Sequence, residues 1–168
     1  MPGYSSQGID VVGYHDVDGR PVFKLAMQVV NDRWYLYASH FWEPRLSIID
    51  VTDPSSMELV GMIEGPPNTA TWQVQVADGL LVEGLEHRRT GARGVHRNHY
   101  TGGRYVHLAA SQPGFEGNVY GVLDIEDPKT PHLAGRWFMP EQFVVGGARS
   151  ARRRSSSAPT SPRIGAPR

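Results

Sequence analysis

The chain has 168 residues and a formal charge of zero, with 39% hydrophobic and 10% aromatic residues, enough for one domain with a substantial core. It has no cysteine, which excludes disulfides, thiolate zinc sites and cysteine nucleophiles. Charge is unevenly placed: six arginines and no acid follow Glu141, leaving eleven basic against seventeen acidic residues before them, about −6, without the footprint of a nucleic-acid binder.

Residues 1–13 form a lead-in without the basic start and apolar run of a secretory signal. No apolar stretch approaches the ~20 residues that span a bilayer. A cytoplasmic protein with no membrane partner is therefore the expectation.

The first patterned element is a hairpin, Gln28-Val-Val-Asn-Asp-Arg-Trp-Tyr-Leu36. Its Asn-Asp pair suits a tight primed turn between antiparallel strands. Within the strand that follows, Trp34 and Tyr35 are adjacent and face opposite ways, so at least one packs inward. A short loop then leads to Leu46-Ser-Ile-Ile-Asp-Val-Thr-Asp-Pro54, whose apolar alternation marks a strand buried on at least one side. Asp53 can bond its own backbone to start a turn, and Pro54 cannot continue a central strand. The Asp-Val-Thr-Asp run lacks the glycine and distal Glu of an EF-hand loop, so it reads as turn chemistry. Leu59-Val-Gly-Met-Ile63 closes the unit as a fourth strand.

A second hairpin, Gln75-Val-Ala-Asp-Gly-Leu-Leu-Val82, lies 47 residues on, measured from Asp32 to Gly79. That is the usual period, ~40–50 residues, of a four-stranded propeller unit. The third hairpin, His99-Tyr-Thr-Gly-Gly-Arg-Tyr-Val106, follows after only 24, from Gly79 to Gly103. The outer half of the middle unit is thus missing between His87 and His96. The third hairpin continues into Tyr120-Gly-Val-Leu-Asp-Ile-Glu-Asp-Pro128 and Leu133-Ala-Gly-Arg-Trp137, a second complete copy. Beyond residue 147 the segment 148–168 is Ser-, Pro- and Arg-rich and too polar to bury a core, which predicts disorder.

Leu46-Ser-Ile-Ile-Asp50 and Tyr120-Gly-Val-Leu-Asp124, each followed by Asp-Pro, resemble the strand and turn of the LVIVD-repeat β-propeller family. Gly19-Arg-Pro-Val-Phe-Lys-Leu-Ala-Met27 resembles the N-terminal part of its bacterial members, which are longer and mostly uncharacterised. The resemblance implies an all-β partial β-propeller in residues 14–147, with two full four-stranded blades, one incomplete blade and a disordered tail. A ring with so few blades leaves sheet edges open and invites self-association. It also points to a shortened relative of those longer proteins.

The chemistry is sparse. No phosphate loop, Gly-x-Ser-x-Gly elbow or His-Glu-x-x-His motif occurs. On a regular strand His96 and His99 point to opposite faces, so one metal could not take both without a bulge or loop. A metal site would need one side chain per blade around a channel, and His40, His87 and His96 are the candidates. Phe41, Trp42, Trp72, Tyr100, Trp137 and Phe138 read as packing between sheets. Two equivalent loops are candidate ligand-binding sites, with Phe41 and Trp42 on one and Phe115 and Glu116 on the other.

The leading reading is a non-enzymatic binding or scaffold module for an unknown protein or small molecule. A metal-dependent oxidase or hydrolase using channel histidines is the second, and nucleic-acid binding through the basic tail the third. No catalytic residue is identified, and no cofactor is expected ahead of a metal ion.

Overall fold

A computed structural model describes residues 7–87 and 94–144. Tail residues 148–168 and most of the stretch between His87 and His96 lie outside the described residues. The described chain is all-β, with ten strands in three antiparallel sheets and a single 3-10 turn at Pro140–Gln142. No helix among the described residues is long and apolar enough to cross a membrane.

The first sheet is a meander of β1 (Val22–Val30), β2 (Arg33–His40), β3 (Arg45–Asp50) and β4 (Glu58–Glu64). The middle sheet holds only β5 (Thr69–Ala77) and β6 (Leu80–His87). The third repeats the meander with β7 (Val95–His99), β8 (Tyr105–Ser111), β9 (Asn118–Asp124) and β10 (His132–Trp137). The four-two-four strand count is the one implied by repeat spacings of 47 and 24.

Turn chemistry sets these elements. Asn31 and Asp32 both have positive φ, as do Asp78 and Gly79, so β1–β2 and β5–β6 are joined by two-residue primed turns. The Asp-Pro turns form as the sequence indicates, with Asp53 Oδ1 accepting the Ser55 N–H at 2.9 Å and Asp127 Oδ1 accepting the Lys129 N–H at 3.0 Å. The strand-ending aspartates do the same one step earlier: Asp50 accepts from the Thr52 N–H and Asp124 from the Glu126 N–H. Each is also held by an arginine from the preceding strand region, Arg33 on Asp50 and Arg104 on Asp124, the latter through three contacts of 2.7–2.9 Å. These ion pairs and turn hydrogen bonds pull both carboxyls below the ordinary range, foremost through hydrogen bonds from Thr52 and from Arg104 respectively.

Three apolar clusters carry the packing. Tyr37, Leu46 and Val74 join the first sheet to the middle one, with Ile48, Val76 and Leu81 against them. Tyr100, Val106, Leu108 and Ala110 join the third sheet to the other side of the middle one, against Ala77, Leu80 and Val82. On the far face of the first sheet, Val17, from the turn that precedes β1, covers Ala38 and Ile49. Leu46 and Val106 are 0% and 1% exposed; burying such side chains fully stabilises by ~1.5–3 kcal/mol each. Trp34 is exposed while Tyr35 packs toward Tyr37, the split its adjacency requires.

The junction of the middle and third sheets is unusually close. Gly94 has φ +132, and a Cβ there would lie 2.2 Å from the Leu85 carbonyl oxygen, so only glycine fits. Polar bonds reinforce it: Asn98 Nδ2 donates to the Val82 carbonyl at 3.1 Å and the Gly103 N–H donates to Asp78 at 2.6 Å.

Candidate functional site

Each of β1, β5 and β7, one from each sheet, carries a one-residue bulge. The bulged residues are Phe23, Trp72 and His96, and Lys24, Gln73 and Arg97 follow them. A bulge re-aims the side chains beyond it and tightens the local twist. Here β1 packs on β5 and β5 on β7, and the three re-aimed residues line one groove of about 390 Å³. Gln75 and His99 line it two residues further along the same strands, with His107 from β8 and Tyr120 from β9 forming its back.

The ladders show how the two four-stranded sheets correspond. Tyr35 lies opposite Asp50 and Tyr105 opposite Asp124. From that anchor Lys24, opposite Ser39, matches Arg97, opposite Ala109. Tyr37 likewise matches His107, and Leu46 matches Tyr120. Aligning the repeats on their arginines, Arg33 with Arg104, misplaces this by one residue, which flips every side chain to the wrong face.

The groove is electrostatically one-sided. All seventeen acidic residues of the chain lie among the described residues, and none lines it. Elsewhere four arginines are paired: Arg20 with Asp18 and Glu43, Arg33 with Asp50, Arg45 with Glu64, Arg104 with Asp124 and Glu126, while Arg136 lies over the Phe115 ring. Lys24 and Arg97 have no carboxylate partner among the described residues. Gln75 Oε1 accepts the Tyr100 N–H at 2.6 Å, leaving the carboxamide NH₂ as the donor at the groove. His107 Nδ1 and Tyr120 Oη are hydrogen-bonded at 2.6 Å with the rings stacked at 19°, which fixes the imidazole plane.

The residues singled out from sequence are placed elsewhere. His40 is 0% exposed on the Ala38 face of the first sheet, opposite to the Tyr37 face that meets β5. Its Nε2 bonds Ser47 Oγ at 2.8 Å, and burial, the largest influence, lowers its pKa. Arg20 and Arg45 act in the same direction, while Glu43 and the Pro21 carbonyl oppose them. His87 ends β6, and the bulged His96 pairs with Glu86 Oε1 at 2.6 Å. Among the described residues no three His, Asp or Glu side chains gather to hold a metal ion, so His40, His87 and His96 are not brought together. The bulge that would reorient His96 against His99 does exist, but it leaves only His99 in the groove.

Phe41 and Trp42 join Phe23 and Trp72 in a cluster with centroids 4.9–5.5 Å apart at the end of the first two sheets. Trp42 is half-exposed and has φ +66, an uncommon backbone for a bulky residue. Phe115 packs with Phe138 and Phe143 beneath Arg136, and the Glu116 N–H donates to the Gln142 carbonyl. None of Phe41, Trp42, Phe115 and Glu116 lines the groove. One further acid, the partly buried Glu83, lies on the middle sheet away from the groove, its pKa raised by desolvation. The Thr71 hydroxyl beside it works against that shift, although its oxygen has no well-formed hydrogen bond.

The groove residues carried a sequence signal that attention to histidines passes over. A ring residue followed by a polar one, Phe23-Lys24, Trp72-Gln73 and His96-Arg97, stands in the first strand of each hairpin. No protein-family model and no curated protein matches the chain.

Proposed function

We propose that the chain is part of a β-propeller of the LVIVD-repeat type. Two four-stranded blades flank a reduced one, and the module binds its ligand without turning it over. The ligand site is the groove at the inner strands. One observation carries this reading: β1, β5 and β7 each bring a bulge and a polar residue to the same concavity. Quasi-equivalent strands converging on a shared axis are what blade repeats produce. The matching of Lys24 with Arg97 supports it, as does the similar Asp-Pro turn at Asp53 and Asp127.

Binding rather than catalysis fits a groove that has no carboxylate base and, among the described residues, no metal-holding trio. The test is nitrogen-15 amide spectroscopy of the full chain with pools of small metabolites. Shifts clustered at residues 24, 73–75 and 97–99, with the ligand recovered unchanged, are expected. Shifts confined to other surfaces, or conversion of the ligand, would overturn the reading.

A further inference from the structure

We infer that the groove takes a small anion, a carboxylate or phosphate group, gripped between Lys24 and Arg97. This rests on the groove being the ligand site and specifies the chemistry of what enters it.

The argument begins with charge. Among the described residues acids far outnumber bases, and Arg20, Arg33, Arg45 and Arg104 are each held by at least one carboxylate. Lys24, Arg97, Lys129 and Arg136 have no carboxylate partner among the described residues, and of these Lys24 from the first sheet and Arg97 from the third share one concavity. A concave site lined by one sign of charge focuses the field and raises the local concentration of the opposite charge. No residue of the chain supplies that opposite charge at the groove, because every Asp and Glu lies elsewhere.

The uncharged lining is consistent with the same ligand. The Gln75 oxygen is committed to the Tyr100 N–H, so its carboxamide presents hydrogen to the groove. Gln73 sits between the two cations in the strand order and adds a second carboxamide. His99 and His107 face each other across the β7–β8 ladder, and an imidazole carries at least one N–H in either tautomer. Arg97 adds a planar fork matched to the paired oxygens of a carboxylate or phosphate, with Lys24 as a point charge opposite. A divalent cation fits poorly, since two imidazoles without a carboxylate make an incomplete shell beside two positive charges. The small volume and the acidic body argue for a free small molecule over a nucleic-acid strand.

Titration of nitrogen-15-labelled full chain with sodium phosphate, sodium citrate and glucose at constant ionic strength tests this. Phosphate or citrate is expected to shift the amides around Lys24, Gln75 and Arg97 saturably, and glucose is not. Arg97→Gln and Lys24→Gln should each weaken the anion about tenfold or more, the size of one charge-assisted contact. Both side chains are exposed, so their melting temperatures should match the parent, and Lys129→Gln outside the groove should bind normally. If neutral pool members bind at the groove and anions do not, the anion inference fails while the binding site stands. If anions shift only other surfaces, or the variants bind as the parent does, both the inference and its placement fail.

Discussion

The first and third sheets are both four-stranded antiparallel meanders, yet their matching faces have opposite fates. In the first, the face carrying Tyr37 and Leu46 is pressed against the middle sheet, with exposures of 9% and 0%. In the third, the same face carries His107 and Tyr120, and Tyr120 is 44% exposed. The turns match in kind, with a strand-ending aspartate accepting a backbone N–H and an arginine holding it. The two sheets therefore share strand order and turn chemistry, and side-chain polarity follows what each face meets. In the first sheet the part of this face that meets the middle sheet is apolar, and only Lys24 at its bulged edge reaches the groove. In the third sheet, where no described sheet packs on it, the face contributes His107 and Tyr120.

This contrast can be broken most severely at Leu46 and Tyr120. Leu46→Ala should cost ~2–5 kcal/mol in urea unfolding, the range for an emptied core site. Tyr120→Ala, at the matching position, should cost under about 1 kcal/mol as an exposed substitution. Equal losses would mean that the two faces are not packed as described.

A smaller effect should separate the far face of the first sheet by pH. His40 is kept neutral by burial, with its pKa below the ordinary 6.5. The unfolded chain takes up that proton first, so this group withdraws stability as pH falls below about 6.5, through the folded-state value. Thermal melts at pH 7.5 and 5.0 should show a larger drop for the parent than for His40→Asn. The six other histidines contribute to both proteins, so the difference between the two drops is the readout. Identical drops would place His40 in contact with water.

The smallest effect should sharpen the likeness of the two turns. Asp50 and Asp124 are held below the ordinary 3.8, so their stabilisation is present above that pH and lost as pH falls through the folded values. Asp50→Asn and Asp124→Asn should each flatten the acid limb of the stability curve below pH 4, to a similar degree, followed by circular dichroism. A change in only one variant would show that the turns are not energetically alike.

Much of the fold was legible because local chemistry dictates it. Asn31-Asp32 and Asp78-Gly79 fix primed turns, the Asp-Pro pairs end strands, and spacing alone gives a two-stranded middle sheet. The groove was far less legible. Its members come from five strands, and their convergence depends on three bulges and on a register that differs by one residue from the apparent repeat. A bulge inverts which side chain faces inward, and composition does not announce it. His40, His87 and His96 share a residue type but not a face, whereas Lys24, Gln73 and Arg97 share a position and not a type.

The central claim is that Lys24 and Arg97, 73 positions apart, face one groove. The absence of cysteine makes that directly measurable, since a Lys24→Cys and Arg97→Cys double variant takes spin labels at those two sites alone. Electron paramagnetic resonance should give a strongly dipolar-broadened spectrum that sharpens when the chain is unfolded in urea. A sharp spectrum from the folded protein, equal to the sum of the two singly labelled variants, would contradict the account.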